Sequence, residues 1–301
     1  MKKRVGQKVS RNHKKGFTFI ELLIAMVIVA IVSGAVIMLG YTYFNHFEQS
    51  NELSMARERA IMVATYLERR ILNAGLGMPS SGDSFTKAFE GLWDNGDFVG
   101  EEWDREVFKP QDDGASFINE LMIAYAMPSG MRTLEYSQVG TGGESIGLSS
   151  LDTSKIKKND KITTKGWIVF PSQRMPFFIT DYDTTNTTIT LRSEISGTWA
   201  IPANEELHLV RFLHAYVENE TFKVNDLTIA DNQPIVEGIL SCKFSYEEST
   251  NLLEVSILAR GNKQYSSYVA PADLKGWGTI ENDDWRKYHL TVVNKGWRVR
   301  N

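Results

Sequence analysis

The sequence predicts an α+β fold: a long N-terminal helix, membrane-spanning in its first half, packed on a mainly antiparallel β-sheet domain. Three observations lead to this prediction. Residues 22–40 form an uncharged apolar run, residues 53–74 repeat apolar side chains every three or four positions, and the chain beyond residue 80 shows period-two alternation. These patterns are typical of a spanning helix, an amphipathic helix and half-buried strands, respectively.

Charge is distributed unevenly along the 301 residues. Residues 1–16 hold seven lysines and arginines and no acidic residue. The remaining 285 residues carry 26 basic and 37 acidic side chains, a formal charge of −11. A basic terminus of this kind is typical of a targeting segment. The acidic remainder disfavours a broad nucleic-acid-binding groove, so no nucleic acid partner is expected.

The apolar run is long enough to cross a bilayer, which takes about 20 residues. The basic residues precede it, and Tyr41, Tyr43 and Phe44 follow it in the position of an aromatic belt. The positive-inside rule therefore predicts one span that ends at about residue 44. The N-terminus is expected in the cytoplasm and the domain that follows the span on the far side of the membrane.

A carboxylate, Glu21, stands at the edge of this run, where a charge costs up to a few kcal/mol. It lies in the sequence Lys14-Lys15-Gly16-Phe17-Thr18-Phe19-Ile20-Glu21-Leu22. This pattern resembles the processing site of type IV prepilins and type II secretion pseudopilins. In those proteins a short basic leader and a glycine precede Phe-Thr-x-x-Glu, which opens an apolar helix.

The resemblance implies that a prepilin peptidase cuts between Gly16 and Phe17 and then N-methylates Phe17. A glycine at the cut lets the protease approach the backbone closely. The resemblance also implies that Glu21 neutralises the N-terminal amine of a neighbouring subunit, because two opposite charges are tolerated in lipid better as a pair. Glu21 and Thr18 are thus expected to act in assembly and register.

Two other interpretations of the N-terminus remain open. A secretory signal peptide could be cleaved near Ser33-Gly34-Ala35 and release the domain, but this leaves Glu21 and the Gly16–Phe17 junction unexplained. A plain single-pass anchor would not be processed at all. The mass of the mature N-terminus distinguishes the three interpretations.

The helix is expected to continue to residue 78, because Pro79 is the first proline and Gly75 and Gly77 supply stop signals. Polar positions such as Glu52 and Arg59 are expected on its exposed face. We therefore predict a cleaved leader at 1–16, a long helix at 17–78 and a β-rich domain at 79–301. The apolar face is predicted at Leu53, Ala56, Ala60, Val63, Ala64, Leu67, Ile71 and Ala74.

The end of this helix, residues 60–79, resembles the PilW-like minor pilins and their J-type pseudopilin relatives. The membrane segment without proline, the single cysteine and the mature length of 285 residues depart from the usual major pilin. The resemblance implies a low-abundance structural subunit that helps to initiate or cap a type IV pilus. Its implied partners are the prepilin peptidase, other minor and major pilins and an inner-membrane assembly platform.

Two alternatives to a minor pilin remain. The first is a pseudopilin of a type II secretion or DNA-uptake machine. The second is a bitopic envelope protein whose β domain binds a ligand or catalyses a reaction. Genomic neighbours would separate a pilus from a secretion system, whereas a test of Glu21 would separate both from the bitopic protein.

Strands are predicted from runs that alternate with period two or are rich in residues that favour β-structure. Residues 80–118 and 138–160 are expected to be loops. Because no long helical pattern separates the runs, the sheet should be antiparallel or mixed. The predicted strands are Leu121–Ala126, Lys161–Phe170, Pro176–Asp181, Thr187–Arg192, Glu206–Val217, Thr221–Val224, Ile235–Tyr246, Leu252–Ala259 and His289–Val293.

The chain is not expected to be an enzyme, and no cofactor is expected. Gly143-Glu-Ser145-Ile-Gly147 matches a nucleophile elbow, but that motif needs a strand before it and a helix after it, and the composition here is that of a loop. Solvated turns are the default interpretation of four aspartates whose oxygens could serve as calcium ligands. These calcium candidates are Asp94, Asp97, Asp181 and Asp183.

The histidines and the cysteine are expected to be structural. His208 and His214 lie six residues apart on one predicted strand, hence on one face, but a metal site needs a third ligand that the sequence does not supply. The single cysteine, Cys242, excludes an intrachain disulfide and is expected to be a buried thiol.

Overall fold

The computed structural model describes residues 18–79, 82–94, 96, 98, 108, 119–158, 161–228, 231–247 and 249–299. The chain divides into two compact units, Met1–Asn51 and Glu52–Asn301. A long N-terminal helix is followed by a mainly antiparallel β-sheet domain, which confirms the predicted α+β class.

The first helix, α1, runs from Phe19 to Ile71. It ends before residue 78 because the following residues turn back towards the sheet. The Gly75 backbone N–H donates to the Ala124 carbonyl oxygen at 3.1 Å, and Gly75 and Gly77 adopt φ angles of 68° and 70°. Glycine has no Cβ to oppose such left-handed backbone conformations, and the helix ends about two turns before the predicted residue 78.

One face of α1 is buried in the second unit, and it matches the prediction except at its first position. Leu53 was expected there, but its side chain is 42% exposed, whereas Glu52 is only 6% exposed. The steps of three and four residues are otherwise kept. The buried residues of α1 are Glu52, Ala56, Ala60, Val63, Ala64, Leu67 and Ile71.

Two short helices and three short strands occur where loops were predicted. The helices, α2 (Gly82–Ala88) and α3 (Glu90–Trp93), bring Phe85 and Phe89 to within 6.3 and 5.3 Å, between ring centroids, of Phe212. Aromatic packing of this kind stabilises elements too short to show a periodic sequence pattern. The strands are β2 (Ser137–Val139), β3 (Glu144–Gly147) and β4 (Lys157–Lys158).

The larger sheet has eight strands, and all its strand pairs are antiparallel. Their order is β12-β11-β10-β6-β7-β8-β3, and β1 also pairs with β10. Besides β3, the strands are β1 (Leu121–Arg132), β6 (Trp167–Val169), β7 (Pro176–Asp183), β8 (Thr188–Arg192), β10 (Glu206–Glu218), β11 (Thr221–Asp226) and β12 (Asp231–Glu237).

Strands β1 and β10 form a long hairpin whose connection, residues 133–205, is an insertion with packing of its own. Arg132 and Glu206 are cross-strand partners at the base of the insertion, and their side chains form an ion pair at 3.3 Å. Buried residues such as Ile146, Phe177 and Ile189 form a separate core cluster there. The insertion also contains β2 and three further short strands: β4 (Lys157–Lys158), β5 (Lys161–Ile162) and β9 (Trp199–Ile201).

The second sheet has three strands, in the order β13-β14-β17. Its strands are β13 (Ile239–Glu247), β14 (Leu252–Gln264) and β17 (Tyr288–Arg298). A small hairpin of β15 (Asp273–Leu274) and β16 (Gly278–Thr279) lies between β14 and β17 in the chain. The predicted strand Ile235–Tyr246 is in fact two strands in two sheets, because Gly238 breaks it with a φ of 77°.

The main core cluster joins α1 to both sheets. Ala60 and Leu67 of α1 pack in one cluster with Phe222 of the larger sheet and Phe244 and Val255 of the smaller one. Buried alanines on α1 let the sheets approach the helix closely, and the apolar area removed from water stabilises the unit.

Replacement of Leu67, which is fully buried on α1, is expected to destabilise the second unit. Leu67→Ala should lower the free energy of unfolding by about 2–5 kcal/mol, because it removes buried methyl groups and leaves a cavity. Urea unfolding of the full chain in detergent micelles, followed by tryptophan fluorescence, measures the change. Leu53→Ala, on the same helix but 42% exposed, is the matched control and should cost less than about 1 kcal/mol. Equal losses in the two variants would contradict the assignment of the buried face.

Candidate assembly site

The N-terminus of α1 is closed by a capping box formed by Thr18 and Glu21. The Thr18 backbone N–H and hydroxyl donate to Glu21 Oε2 at 2.8 and 3.0 Å, and the Glu21 backbone N–H donates to Thr18 Oγ1 at 3.3 Å. Such reciprocal bonds satisfy backbone donors that have no partner inside the helix. The Thr-x-x-Glu spacing therefore has a local structural role, and the carboxylate of Glu21 has two donors within its own chain.

Gly16 and Phe17, the predicted cleavage and methylation positions, lie outside the described residues. The first described residue, Thr18, directly follows them, so the capping box adjoins the predicted cut. Cleavage, methylation and the intersubunit role of Glu21 stay predictions at this point.

The first part of α1 has an apolar surface on all sides. The large apolar side chains from Phe19 to Leu39 are between 49% and 77% exposed in the isolated chain. Among the described residues, α1 is the one helix long and apolar enough to cross a membrane, as judged by length and composition. A surface of this kind is stable in lipid or against other apolar helices rather than in water.

In the second unit, Glu52 is held by the backbone of β14. Its Oε2 atom accepts hydrogen bonds from the backbone N–H groups of Asn262 at 2.5 Å and Lys263 at 2.9 Å. The β14–β17 register is irregular between Arg260 and Gln264, so residues 261–263 depart from the regular strand pairing. A side chain at Gly261 would collide with the Glu52 carboxylate. These contacts explain why a charged residue occupies the buried face.

Arg59, two turns further along α1, binds the same segment. Its guanidinium donates to the Arg260 carbonyl oxygen at 2.8 Å and to Asn262 Oδ1. The guanidinium passes over Gly238, where a Cβ atom would come within 2.5 Å of Nη1. Burial and the charge of Arg260 lower the pKa of Arg59, and the carboxylates of Glu52 and Glu237 oppose this effect.

Arg260 extends this network to the larger sheet. Its side chain forms a 2.8 Å ion pair with Glu220, in the turn between β10 and β11, and its guanidinium carbon lies 4.4 Å from the centre of the Tyr288 ring. We call Glu52, Arg59, Arg260 and Glu220 the polar seam. It connects the helix to both sheets and has the chemistry of a structural clamp. Sequence reasoning missed it: Glu52 and Arg59 were placed on the exposed face, although Glu52 lies four residues before Ala56 on the apolar row.

The nucleophile-elbow motif does not form an elbow. Ser145 lies in β3, paired with Thr190 of β8, and its side chain is exposed. A strand at this position replaces the required turn between a strand and a helix, so the geometry that activates such a serine is missing. Ser145 therefore has no catalytic arrangement.

Two of the aspartates proposed as calcium ligands accept local hydrogen bonds. Asp183 Oδ1 accepts from the Thr185 and Asn186 backbone N–H groups at 2.7 and 3.3 Å, and these bonds hold the pKa of its carboxyl below the usual range. Asp181 Oδ1 accepts from the Tyr182 backbone N–H at 2.8 Å. Asp94 is the C-cap residue of α3, and Asp97 lies outside the described residues. Within the described ranges, no group of three or more His, Cys, Asp or Glu side chains could hold a metal ion.

The predicted strand histidines have local partners. His214 Nε2 lies 2.9 Å from Glu120 Oε2, and His208 Nδ1 lies 3.2 Å from the Glu206 carbonyl oxygen. Cys242 is buried, as predicted, and burial raises the pKa of its thiol. A thiol in this environment is unreactive towards oxidants and alkylating agents.

A buried ion pair links β10 and β11. Arg211 is 7% exposed, and its Nε lies 3.8 Å from Asp226 Oδ2. Burial raises the pKa of Asp226, while Arg211 and the bonds from Thr228 oppose the shift. Burial also raises the pKa of Tyr125 to about 12. The Arg211 guanidinium donates to the carbonyl oxygens of Val210 and Lys155, so the pair is enclosed by structural contacts.

Comparison with known protein families gives a match at the N-terminus. Residues 11–37 match the family model described as the prokaryotic N-terminal methylation motif. No curated protein and no solved structure matches the chain. The match covers the predicted cleavage junction, Thr18, Glu21 and most of the apolar run.

Loss of the Thr18 side chain is expected to loosen the first turn of α1. Thr18→Ala removes the cap that accepts the Glu21 N–H and one donor to the Glu21 carboxylate, which should cost about 1 kcal/mol of local helix stability. Faster hydrogen–deuterium exchange at residues 19–22 of the full chain in lipid nanodiscs would report the loss. Thr18→Ser keeps the hydroxyl and should exchange like the parent chain, and equal exchange in all three proteins would contradict the cap.

Loss of the Glu52 carboxylate is expected to destabilise the second unit. Glu52→Ala leaves the Asn262 and Lys263 N–H groups without their acceptor, which should lower the free energy of unfolding by about 1–3 kcal/mol. Denaturant unfolding checks this value. Glu58→Ala, an exposed change of the same type on the same helix, should leave the midpoint of the second unit unchanged.

Proposed function

Since this chain is type IV pilin-like by its N-terminal methylation motif, we propose that it is a minor pilin: a low-abundance subunit that helps to initiate or cap a type IV pilus. One observation carries the proposal. The matched motif, the Thr18–Glu21 capping box and an exposed apolar helix overlap within residues 11–39. Together they form a segment suited to processing, membrane insertion and packing against other helices.

In this proposal a prepilin peptidase removes residues 1–16 and N-methylates Phe17. The basic leader keeps the N-terminus in the cytoplasm, where the cut is made, and the β domain is periplasmic. The processed chain then waits in the inner membrane until it contacts the assembly platform and other pilins. No side chain turns over a substrate.

Glu21 then exchanges an internal partner for an external one. In the isolated chain its Oε2 accepts from the Thr18 N–H and hydroxyl, which are neutral donors. The Phe17 amine of a neighbouring subunit would supply a positive charge, and a charge-assisted bond in a medium of low dielectric is stronger than a neutral one. The exchange favours the assembled state over the isolated subunit and fixes the register between two helices.

Three sequence features support a minor rather than a major subunit. The membrane segment lacks a proline, Cys242 is a lone cysteine, and the mature chain would have 285 residues. The resemblance of residues 60–79 to the PilW-like group supports the same assignment. The J-type likeness of that segment supports the second candidate, a pseudopilin of a secretion or DNA-uptake system, for which the assembly chemistry would be the same.

Replacement of Glu21 tests the assembly role. Glu21→Ala should abolish pilus assembly in a host that depends on this subunit, while the amount of protein inserted in the membrane stays the same, because the apolar run is unchanged. Electron microscopy of surface pili and membrane fractionation measure the two effects. Glu144→Ala, an exposed change of the same type in the β domain, is the control and should assemble normally. Unchanged piliation and secretion in Glu21→Ala would contradict the proposal.

The mass of the mature N-terminus tests the processing step. Intact-mass spectrometry should show a chain that begins at Phe17 and carries one additional methyl group. A chain that begins near residue 36 would indicate a signal peptide, and an unprocessed chain would indicate a plain anchor.

A further inference from the structure

The insertion carries a lysine-rich hairpin on an otherwise acidic chain. Residues 155–165 contain five lysines and one acidic residue, Asp160, which gives them a formal charge of +4. Residues 17–301 together carry −11, so the part of that chain outside this segment carries −15. We call residues 155–165 the basic hairpin, because β4 and β5 lie at its centre. A local charge opposite in sign to its surroundings indicates a surface that meets an anionic partner.

The fold anchors the basic hairpin through its isoleucines and leaves lysines at the surface. Ile156 is fully buried in the core cluster of the insertion, and Ile162 packs against the same cluster. Around these anchors, Lys161 is exposed, and Lys157 and Lys165 are half-buried. The cationic surface is therefore preorganised, which lowers the entropic cost of binding a ligand.

Two lysines take opposite positions in the basic hairpin. The register pairs Lys158 with Lys161, and like charges at opposite positions of two strands are destabilising. Lys155 is held by its own chain: its Nζ lies 3.3 Å from Asp152 Oδ2 and donates to the Ser129 carbonyl oxygen at 2.8 Å. A bound anion would offset the repulsion between the strands, so the hairpin is better suited to an anionic ligand than to water alone.

An aromatic ring adjoins these lysines. Lys157 Nζ lies 5.7 Å from the centre of the Tyr182 ring, which is half-buried on β7. Asp181 and Asp183 flank Tyr182 on that strand, and successive side chains of a strand point to opposite faces, so both carboxylates face away from Lys157. The surface beside the basic hairpin thus combines positive charge with a ring that can stack.

We propose that the basic hairpin and Tyr182 bind a linear acidic polysaccharide, a single chain of sugars that carries spaced carboxylates. The ammonium groups of Lys157, Lys161 and Lys165 pair with the carboxylates, and the ring of Tyr182 stacks against a sugar. This binding goes beyond the proposed function and does not depend on it, because the ligand is not part of the subunit's own assembly.

Charge density favours such a chain over nucleic acid or a lipid surface. Duplex DNA carries one charge per about 1.7 Å of its axis, and an anionic bilayer is a broad charged plane. Either would extend beyond residues 155–165 and meet surroundings of the opposite preference, which carry −15. A single chain with spaced charges contacts the lysines and avoids much of that repulsion.

The type of cation agrees with a flexible polymer. The basic hairpin contains lysines and no arginine. An arginine fork selects anions of fixed planar geometry, whereas the lysine ammonium is a point charge on a flexible stem. Lysines therefore suit carboxylates whose positions vary along a chain.

Binding by the full chain in nanodiscs of zwitterionic lipid tests this proposal. In biolayer interferometry, immobilised polygalacturonate, a linear chain of uronic acids, should bind the protein saturably, and neutral dextran should not. Raising NaCl from about 50 to about 500 mM should weaken the binding about tenfold, because exposed charges are screened. Lys161→Gln combined with Lys165→Gln should weaken it about fivefold, because two ion pairs are lost.

Two matched double variants show whether charge at this place is the cause. Lys161→Arg with Lys165→Arg keeps both charges and should bind within about twofold of the parent chain. Lys275→Gln with Lys295→Gln removes two exposed lysines outside the insertion and should bind like the parent. The midpoint of denaturant unfolding should be the same in all four proteins, which separates loss of binding from loss of the fold.

Several outcomes would overturn the polysaccharide assignment. These are absence of binding to polygalacturonate, equal binding to dextran, and equal binding by the parent and the Lys161→Gln, Lys165→Gln chain. Tighter binding to a single-stranded oligonucleotide of equal charge, or to phosphatidylglycerol vesicles, would assign the surface to nucleic acid or lipid instead.

The same measurements leave the minor-pilin proposal to its own test. A chain that is processed at Phe17 and supports piliation but does not bind polygalacturonate would contradict the polysaccharide proposal alone. A chain that binds polygalacturonate through Lys161 and Lys165 but is not processed would contradict the minor-pilin proposal alone.

Discussion

The second unit depends on one interaction: the carboxylate of Glu52 accepts hydrogen bonds from two backbone N–H groups of β14. A charged residue on the buried face of a helix is costly unless its charge is satisfied. The irregular register between Arg260 and Gln264 leaves backbone N–H groups free to donate to the carboxylate, and Gly261 leaves room for it. The helix is thereby fixed in rotation against the smaller sheet, and the alanine row behind Glu52 is directed into the core.

Arg59 gives this clamp a second point of attachment. Because it reaches across Gly238, the break between β12 and β13 lies directly under a helix side chain. Arg260 carries the contact on to Glu220 in the larger sheet. The two sheets, which share no strand, are thus held in relation to one another through a helix and two arginines as well as through the apolar core.

Much of the architecture could be predicted from local patterns, because period and composition report which faces are buried. The helical repeat from Ala56 to Ile71 and the strand runs are signals of this kind. Predictions failed where an interaction between distant residues decides the outcome. Glu52 was placed outside because the N–H groups that donate to it lie more than 200 positions away in the sequence, and α2 was missed because its stability depends on Phe212.

The candidate assembly site and the polar seam show the same difference between local and long-range interactions. Thr18 and Glu21 were singled out by the resemblance of their motif, whereas the capping box that joins them was not predicted, although it is local and has a fixed spacing. The polar seam could not be predicted, because Arg59, Arg260 and Glu220 meet only through the fold of the two sheets. The motif at the start of the chain indicates a prepilin-like N-terminus, whereas the contacts of the second unit emerge only from its three-dimensional arrangement.

The single buried thiol has a consequence for how this chain matures. With no disulfide to form within the chain, the β domain needs no thiol oxidant to reach its native state. It also has no exposed thiol that could pair wrongly with another protein. Its folding is therefore independent of the redox balance of the compartment in which it takes place.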